Sequence, residues 1–366
     1  MNEPLPKARP LQSMRAMVLD QPGRPLRETQ LPIPEPAGQE VLIRVSACGV
    51  CRTDLHIVDG ELPAHKLPLV PGHQIVGVVV EKGPFAAGIS VGDRVGVPWL
   101  GSTCNACRFC GAGRENLCEH AAFTGYDRDG GYAQYALADS RYCFPLPENL
   151  DDVHAAPLLC AGLIGYRAYM MLGDAKCIGL YGFGAAAHIV AQVALQQGKT
   201  VYAFTRPGDL HSQRFALSLG ADWAGDSASK PPGNMDGAII FASDGSLVPA
   251  ALASVEKGGN VVCAGIHMSD IPSFPYSLLW GERAVRSVAN LTRADGENLF
   301  SLLRHLDIQT SPQIYPLCEA NQALQDLREG KFDGAAVLLV EHEQEAASVE
   351  GPRASAHQAM SHACDA

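Results

Sequence analysis

The chain has 366 residues, 47% of them hydrophobic and 18% charged, which is the composition of a globular protein with two ordinary domains. Its formal net charge of −11 argues against a nucleic-acid partner, because phosphate binding needs concentrated Lys and Arg. No apolar run approaches the roughly 20 residues that span a bilayer, and the start lacks a signal peptide's apolar core. We therefore expect a cytoplasmic protein with no membrane partner.

Residues 1–165 predict a mainly β domain. After a Pro-rich start, apolar runs such as EVLIRVSACGVC and HQIVGVVVEKG have the length and composition of short strands. Gly and Pro stand between these runs at positions typical of turns.

Four cysteines lie close together inside this region, in a lobe that we place at residues 99–118. Their spacing is C-x2-C-x2-C-x7-C, at Cys104, Cys107, Cys110 and Cys118. In a reducing compartment such cysteines are metal ligands more often than disulfides, and an iron–sulfur cluster usually has a differently spaced run. Tetrahedral zinc needs four ligands, and four sulfurs leave it no open position. The lobe is therefore predicted to hold a structural zinc.

Residues 166–305 predict a doubly wound parallel sheet, because apolar strands alternate with helical segments. A G-x-G-x-x-A motif, formed by Gly182, Gly184 and Ala187, follows a strand and opens a helix. In that context the small residues let a pyrophosphate approach the backbone N–H groups at the helix start. The motif therefore predicts a dinucleotide site in a Rossmann domain.

The rest of the chain is predicted to return to the first domain and then to lose its structure. Residues 306–340 contain one helical segment and the apolar strand GAAVLLV. Residues 341–366 are polar and show no apolar period, so we predict a disordered tail.

A second metal, one that does chemistry, would need ligands from scattered positions. Cys51 is the last residue of the segment EVLIRVSACGVC, His73 follows a Pro-Gly turn, and Cys160 precedes the nucleotide-binding half. One His and two Cys leave a fourth zinc position open for substrate. Spacing alone does not single out this trio.

Five motifs in order resemble the zinc-dependent alcohol dehydrogenases of the medium-chain dehydrogenase/reductase superfamily. They are C-G-V-C-R-T-D-L-H, G-H-x-x-x-G, the four-cysteine lobe, P-L-L-C-A-G and G-x-G-x-x-A, and the resemblance extends over residues 15 to 340. It implies a GroES-like catalytic domain with an inserted Rossmann domain. It also implies two zinc ions per chain, NAD or NADP as cofactor, and a homo-oligomer, either a dimer or a tetramer.

The resemblance carries site roles to positions that match the family's motifs. It makes Cys51, His73 and Cys160 the ligands of a catalytic zinc, which lowers the pKa of an alcohol before hydride passes to nicotinamide.

The remaining roles fall on one short segment after the first ligand. Thr53 would accept the alcohol's proton and His56 would deliver it to solvent, which suits a side chain with an ordinary pKa near 6.5. Asp54 would orient a zinc ligand, with a capping or turn role as the alternative, and Arg52 would face the pyrophosphate.

Two positions depart from the family's pattern. Gln74 follows the ligand His73 where the family usually has Glu, so the negative charge at that position is missing. Ala335 stands where an Arg often contacts the cofactor phosphate, so we expect that contact to be absent.

Cofactor choice depends on the end of the second strand of the Rossmann unit, where an acid holds the ribose 2′-hydroxyl in NAD enzymes. Here that position is Thr205, which has no charge to exclude a 2′-phosphate, and Arg206 follows it. We expect NADP to be accepted and to be slightly preferred over NAD.

We expect the substrate to be a small primary alcohol or the matching aldehyde, since Trp99 lies where the resemblance places the pocket wall. Ordinary packing is the alternative role for Trp99. Two other functions stay open: an NADPH-dependent aldehyde reductase, and a non-catalytic zinc-stabilised scaffold of the same fold.

Overall fold

A computed structural model describes residues 13–332 and 334–342 of the chain. The predicted disordered tail, apart from residues 341 and 342, therefore lies outside the described residues. Across the described part, no helix is long and apolar enough to cross a membrane.

Seventeen strands form four sheets within the described residues. In chain order they are β1 (Ser13–Val18), β2 (Arg27–Pro32), β3 (Glu40–Val50), β4 (Ile75–Lys82), β5 (Arg94–Val97), β6 (Leu100–Ser102), β7 (Ala122–Phe123), β8 (Tyr135–Asp139), β9 (Phe144–Pro145), β10 (Cys177–Tyr181), β11 (Thr200–Thr205), β12 (Trp223–Asp226), β13 (Met235–Ile240), β14 (Val255–Cys263), β15 (Ala284–Ser287), β16 (Pro312–Pro316) and β17 (Ala335–Leu339).

Ten α-helices lie between the strands of the described residues. They are α1 (Arg52–Val58), α2 (Arg108–Gly111), α3 (Asp152–Ala155), α4 (Ala161–Met170), α5 (Ala185–Gln196), α6 (Leu210–Ser218), α7 (Leu247–Ser254), α8 (Tyr276–Leu279), α9 (Arg293–Leu303) and α10 (Ala320–Glu329).

The larger sheet joins the early strands to the last ones. Its order is β16-β17-β3-β4-β5-β9, with β8 also paired to β3, and all its pairs are antiparallel except β16 with β17. Because β17 pairs with β3, the last strand of the described residues lies beside the strand that leads into Cys51.

The second sheet is parallel throughout, in the order β12-β11-β10-β13-β14-β15. The order steps outwards from β10 in both directions, as in a doubly wound dinucleotide fold. All its strands lie between residues 177 and 287, so the predicted domain boundaries at 165, 305 and 340 fall outside this sheet and stay predictions.

Helix α4 connects the two sheets and packs closely on α5. A Cβ atom at Gly165 would lie 2.6 Å from Val190 Cγ2, so glycine is what permits the approach. Buried Leu163 of α4, Ile189 of α5 and Leu299 of α9 belong to one apolar cluster. Packing in this cluster holds α4 and α5 next to each other. The candidate site lies at the N-terminal ends of these two helices.

Candidate active site

Helix α1 brings several of the predicted site residues into one turn. Cys51 is its N-cap, and the Cys51 backbone N–H donates to Asp54 Oδ2 at 2.9 Å, which forms part of a capping box. Thr53 and Asp54 are buried in the first turn, whereas His56, three residues after Thr53, keeps a side chain that is 20% exposed.

The three predicted catalytic ligands converge from separate segments. Cys51 Sγ lies 3.3 Å from His73 Nε2 and 3.8 Å from Cys160 Sγ. Zinc–sulfur bonds of about 2.3 Å give tetrahedral edges of about 3.8 Å between sulfurs, so the trio has the spacing of ligands to one ion. Residues Cys51 and Cys160 are each partly exposed, whereas His73 is fully buried.

The chemistry of this donor set also fits a zinc ion. His73 is fully buried, and its Nδ1 lies 3.2 Å from Asp54 Oδ1, so Asp54 leaves Nε2 for the metal. Burial lowers the pKa of His73, but Asp54 and Cys51 raise it to about 10. Cys160 and then burial raise the pKa of Cys51 well above its usual range. A dication would offset these effects, because it binds the deprotonated ligands.

The four lobe cysteines form the second group with metal spacing. Their sulfurs lie 3.9 Å apart for Cys104 and Cys110, 3.6 Å for Cys107 and Cys110, and 3.5 Å for Cys104 and Cys118. Backbone N–H groups of residues 106 and 107 lower the pKa of Cys104 to about 6, while burial raises that of Cys118 to about 11. The sulfur spacing and the lowered Cys104 pKa fit a tetrahedral thiolate site.

The lobe is bound to the start of helix α9 by a buried acid. Glu115 is 3% exposed, and its Oε1 accepts from the Arg293 backbone N–H at 2.9 Å and from Arg293 Nε at 3.3 Å. Beside it, Asn116 Nδ2 donates to the Ala289 carbonyl at 2.7 Å. The lobe therefore contacts the segment that follows β15, the last strand of the parallel sheet.

The predicted dinucleotide motif lies at the turn from β10 into α5. Gly182 has φ +88°, and a Cβ there would lie 2.9 Å from the Ala242 backbone nitrogen, so this position requires glycine. Gly184 is the N-cap of α5, and no atom lies within 4 Å of the place where its Cβ would be. Ala187 is fully buried against the sheet. The space in front of the helix is thus open, and Arg52, at the start of α1, is exposed.

Thr205 ends β11 but turns its hydroxyl inwards. The side chain is 3% exposed, its Oγ1 accepts from Gln213 Nε2 at 3.0 Å, and it donates to the Arg206 carbonyl at 3.2 Å. Arg206 is exposed, in contrast. Of the two residues predicted to set the choice between NAD and NADP, only Arg206 is exposed.

Sequence reasoning missed two acids that lie beside predicted residues. Glu61 accepts a hydrogen bond from His56 Nδ1, and its own N–H donates to the His56 carbonyl at 2.9 Å. Asp226 pairs in register with Thr205 and accepts from Gln213 Nε2 at 2.8 Å. A position at the end of a parallel strand was a usable signal for Asp226. The spacing of Glu61 from His56 carried none.

The two departures from the family's pattern are both buried. Gln74 is 2% exposed and packs on Gly49, where a Cβ would lie 2.7 Å from Gln74 Oε1. Ala335 is 7% exposed at the start of β17. Neither position offers a charge.

Trp99 stands directly beside the trio. Its ring lies 5.0 Å from that of His73 in an edge-on arrangement, and it stacks on Phe123 at 4.9 Å and on Tyr126 at 5.6 Å. Trp99 is only partly buried, so these rings form an aromatic wall next to a predicted metal ligand.

Comparisons with known proteins all find similarity to alcohol dehydrogenases. The family model for the alcohol dehydrogenase GroES-like domain matches residues 37–148. A probable alcohol dehydrogenase AdhA of Mycobacterium tuberculosis is 44% identical over 340 residues, 90% of this chain and 98% of that protein. An alcohol dehydrogenase of Geobacillus stearothermophilus is 34% identical over 342 residues, 90% of this chain and 100% of that protein. The cobalt- and zinc-bound thermostable alcohol dehydrogenase from Pyrobaculum aerophilum superposes with a TM-score of 0.80 at 27% identity, covering 90% and 100% of the two chains.

The first prediction concerns metal content. We expect the purified protein to contain about two zinc ions per chain, and Cys160→Ser to retain about one, because two remaining ligands hold the ion poorly. Cys107→Ser should also lose one ion, but with a lower thermal midpoint, because the lobe has little core of its own. Atomic absorption measures the content. A wild-type value near one after zinc supplementation would contradict the catalytic site.

The second prediction concerns the docking of the lobe. Glu115→Gln should lower the thermal midpoint by about 2–4 °C at pH 7, because it weakens two charge-assisted hydrogen bonds. Burial raises the pKa of Glu115, but Arg293 holds it below its usual range, so this stability is present above the ordinary carboxyl pKa and disappears in acid. The difference from wild type should therefore shrink below about pH 4. Exposed Glu119→Gln, just after the lobe, is the control, and equal midpoints for both variants would refute the docking role.

Proposed function

Because the chain belongs to the zinc-dependent alcohol dehydrogenases of the medium-chain dehydrogenase/reductase superfamily, we propose that it transfers hydride reversibly between a small primary alcohol and NAD or NADP. The family and the fold class predicted from the sequence are confirmed: a GroES-like domain is matched, and a doubly wound parallel sheet accompanies it. The protein is an oxidoreductase by this membership.

One observation carries the proposal: Cys51, His73 and Cys160 meet at metal spacing, and two of these three residues are partly exposed. A purely structural site would have four protein ligands, as the lobe has. When bound, zinc at this trio supplies a Lewis acid that lowers the alcohol's pKa, and the nicotinamide supplies the hydride acceptor.

The alcohol's proton leaves through α1 in this proposal. Thr53 and His56 are three residues apart on the helix, so their side chains share one face. The Thr53 hydroxyl accepts the proton and passes its own on. Glu61 accepts from His56 Nδ1, and a carboxylate cannot donate, so Nδ1 carries the hydrogen and Nε2 is the nitrogen that receives a proton.

Asp54 acts on the ligands and does not touch the substrate. It accepts from the Cys51 backbone and lies beside His73 Nδ1, so it fixes the position of one ligand and the orientation of another. Arg52 and the turn from Gly182 to Ala187 are assigned to the pyrophosphate, at the open start of α5.

Exposed Arg206 favours a second candidate within the same chemistry, an NADPH-dependent aldehyde reductase that runs mainly in the reverse direction. The scaffold alternative has no comparable support, because a scaffold needs the lobe but not a second group of three residues at metal spacing. We retain the homo-oligomer and the cytoplasmic location as proposals. Tyr276 and Trp280, 68% and 66% exposed near the edge of the parallel sheet, support the former.

The third prediction tests the activity and the pocket together. We expect the wild type to oxidise the primary alcohols from ethanol through butanol faster than bulky secondary alcohols or polyols. The Cys160→Ser variant should be inactive. Trp99→Ala should raise kcat/KM for benzyl alcohol relative to ethanol by about 10-fold, because it removes one ring of the wall. Exposed Phe85→Ala is the control for the loss of an aromatic ring. A wild-type preference for the bulky alcohols would show that Trp99 does not limit the pocket.

The fourth prediction concerns the cofactor. Arg206→Ala should lower kcat/KM for NADP by about 10-fold or more and leave NAD within about threefold, because the 2′-phosphate loses a charged partner. Exposed Arg24→Ala, outside the parallel sheet, is the control for a lost surface charge. A strong NAD preference that Arg206→Ala leaves untouched would reject this assignment.

A further inference from the structure

A second histidine contacts the one assigned to proton transfer. His267 lies in the segment that follows β14 of the parallel sheet, 211 residues from His56 in the chain. The centroids of their rings lie 4.8 Å apart, with 65° between the ring planes, which is an edge-to-face contact. His56 is on α1, so the contact joins the catalytic part of the chain to the cofactor-binding part.

The backbone holds His267 in an unfavourable conformation. Its φ is +52°, in the left-handed region, where glycine is the residue without a steric cost. Hydrogen bonds hold the chain on both sides of His267. The Ser243 hydroxyl donates to the Ile266 carbonyl at 2.8 Å, and the Gly245 N–H donates to Ser269 Oγ at 2.9 Å. A non-glycine residue kept in this conformation at the edge of a site is a reason to look for a role of its side chain.

Two ordinary roles for the ring do not fit. His267 is exposed, so it gains little from burial. A metal site does not fit either. Among the described residues, the groups of three or more ligand side chains within 4.8 Å of one another are the lobe cysteines and the Cys51 trio, and neither includes His56, Glu61 or His267. The ring contact with His56 is the interaction that the strained backbone supports.

We propose that His267 is a positioning residue for His56. Glu61 holds the ring of His56 at Nδ1, and His267 limits its rotation about that hydrogen bond by packing against it. With both contacts in place, Nε2 keeps the orientation in which it receives the proton. Because the two contacts come from different parts of the chain, His56 is fully held only when the cofactor-binding part meets the catalytic part. The proposal rests on the proposed function.

Substitution by glycine separates the ring from the backbone. His267→Gly removes the imidazole and also the steric cost, so its thermal midpoint should equal or exceed that of the wild type. Its kcat for ethanol oxidation at pH 7 should fall about 10-fold, with the KM values for ethanol and cofactor within about twofold. His267→Asn, which also tolerates the left-handed region, should show the same loss.

A double-mutant cycle then tests whether His267 acts through His56. In a His56→Ala background, His267→Gly should change kcat by less than about twofold, because the ring that it positions is gone. Glu282→Gly is the matched control: Glu282 has φ +62° and lies before β15, at the opposite end of the same sheet. It should leave kcat unchanged.

Three results decide the matter. A kcat for His267→Gly equal to that of Glu282→Gly, in an active wild type, would overturn this proposal alone. An equal fold-loss in both backgrounds would also overturn it, because His267 would then act independently of His56. A zinc-loaded wild type inactive towards every alcohol with either cofactor would overturn the proposed function and this inference together.

Discussion

The buried carboxylate of Asp54 is the interaction on which the catalytic trio depends. A buried charge is costly unless it is paired and hydrogen-bonded, and Asp54 is fully buried. Its Oδ2 accepts a hydrogen bond from the Cys51 N–H at 2.9 Å, and its Oδ1 lies 3.2 Å from His73 Nδ1. Satisfying this one charge therefore brings the start of α1 and the segment after the Pro-Gly turn to a single point. Neither ligand has to be held by the metal alone.

The same logic of helix starts places the rest of the site. Cys160 is the N-cap of α4 and Gly184 is the N-cap of α5, and a helix N-terminus favours negative charge. The thiolate and the pyrophosphate that we propose at these two positions would both be stabilised by it. Because Gly165 lets α4 pack tightly on α5, the metal ligand and the dinucleotide turn are on adjacent helices.

The lobe is connected to this arrangement although it lies outside it. Glu115 binds Arg293 at the start of α9, and two residues later Asp295 forms an ion pair with Arg167 of α4 at 2.6 Å. Helix α4 begins at Cys160. A metal bound at the lobe cysteines would thus also support the helix that carries the proposed ligand Cys160, through contacts that are charged and at least partly buried.

Short-range patterns were enough to determine the parallel sheet, the dinucleotide turn and the lobe cysteines, because each depends on residues close together in the chain. The trio of Cys51, His73 and Cys160 needed the order of five motifs, since its members come from distant segments. Only the tertiary structure decided how these residues are held. Thr205 was expected to face the ribose, yet the β11–β12 register brings Asp226 and Gln213 to it and turns its hydroxyl inwards. His267 reaches His56 across 211 residues, and no local pattern encodes such a contact, because it is set by how two sheets pack around α4.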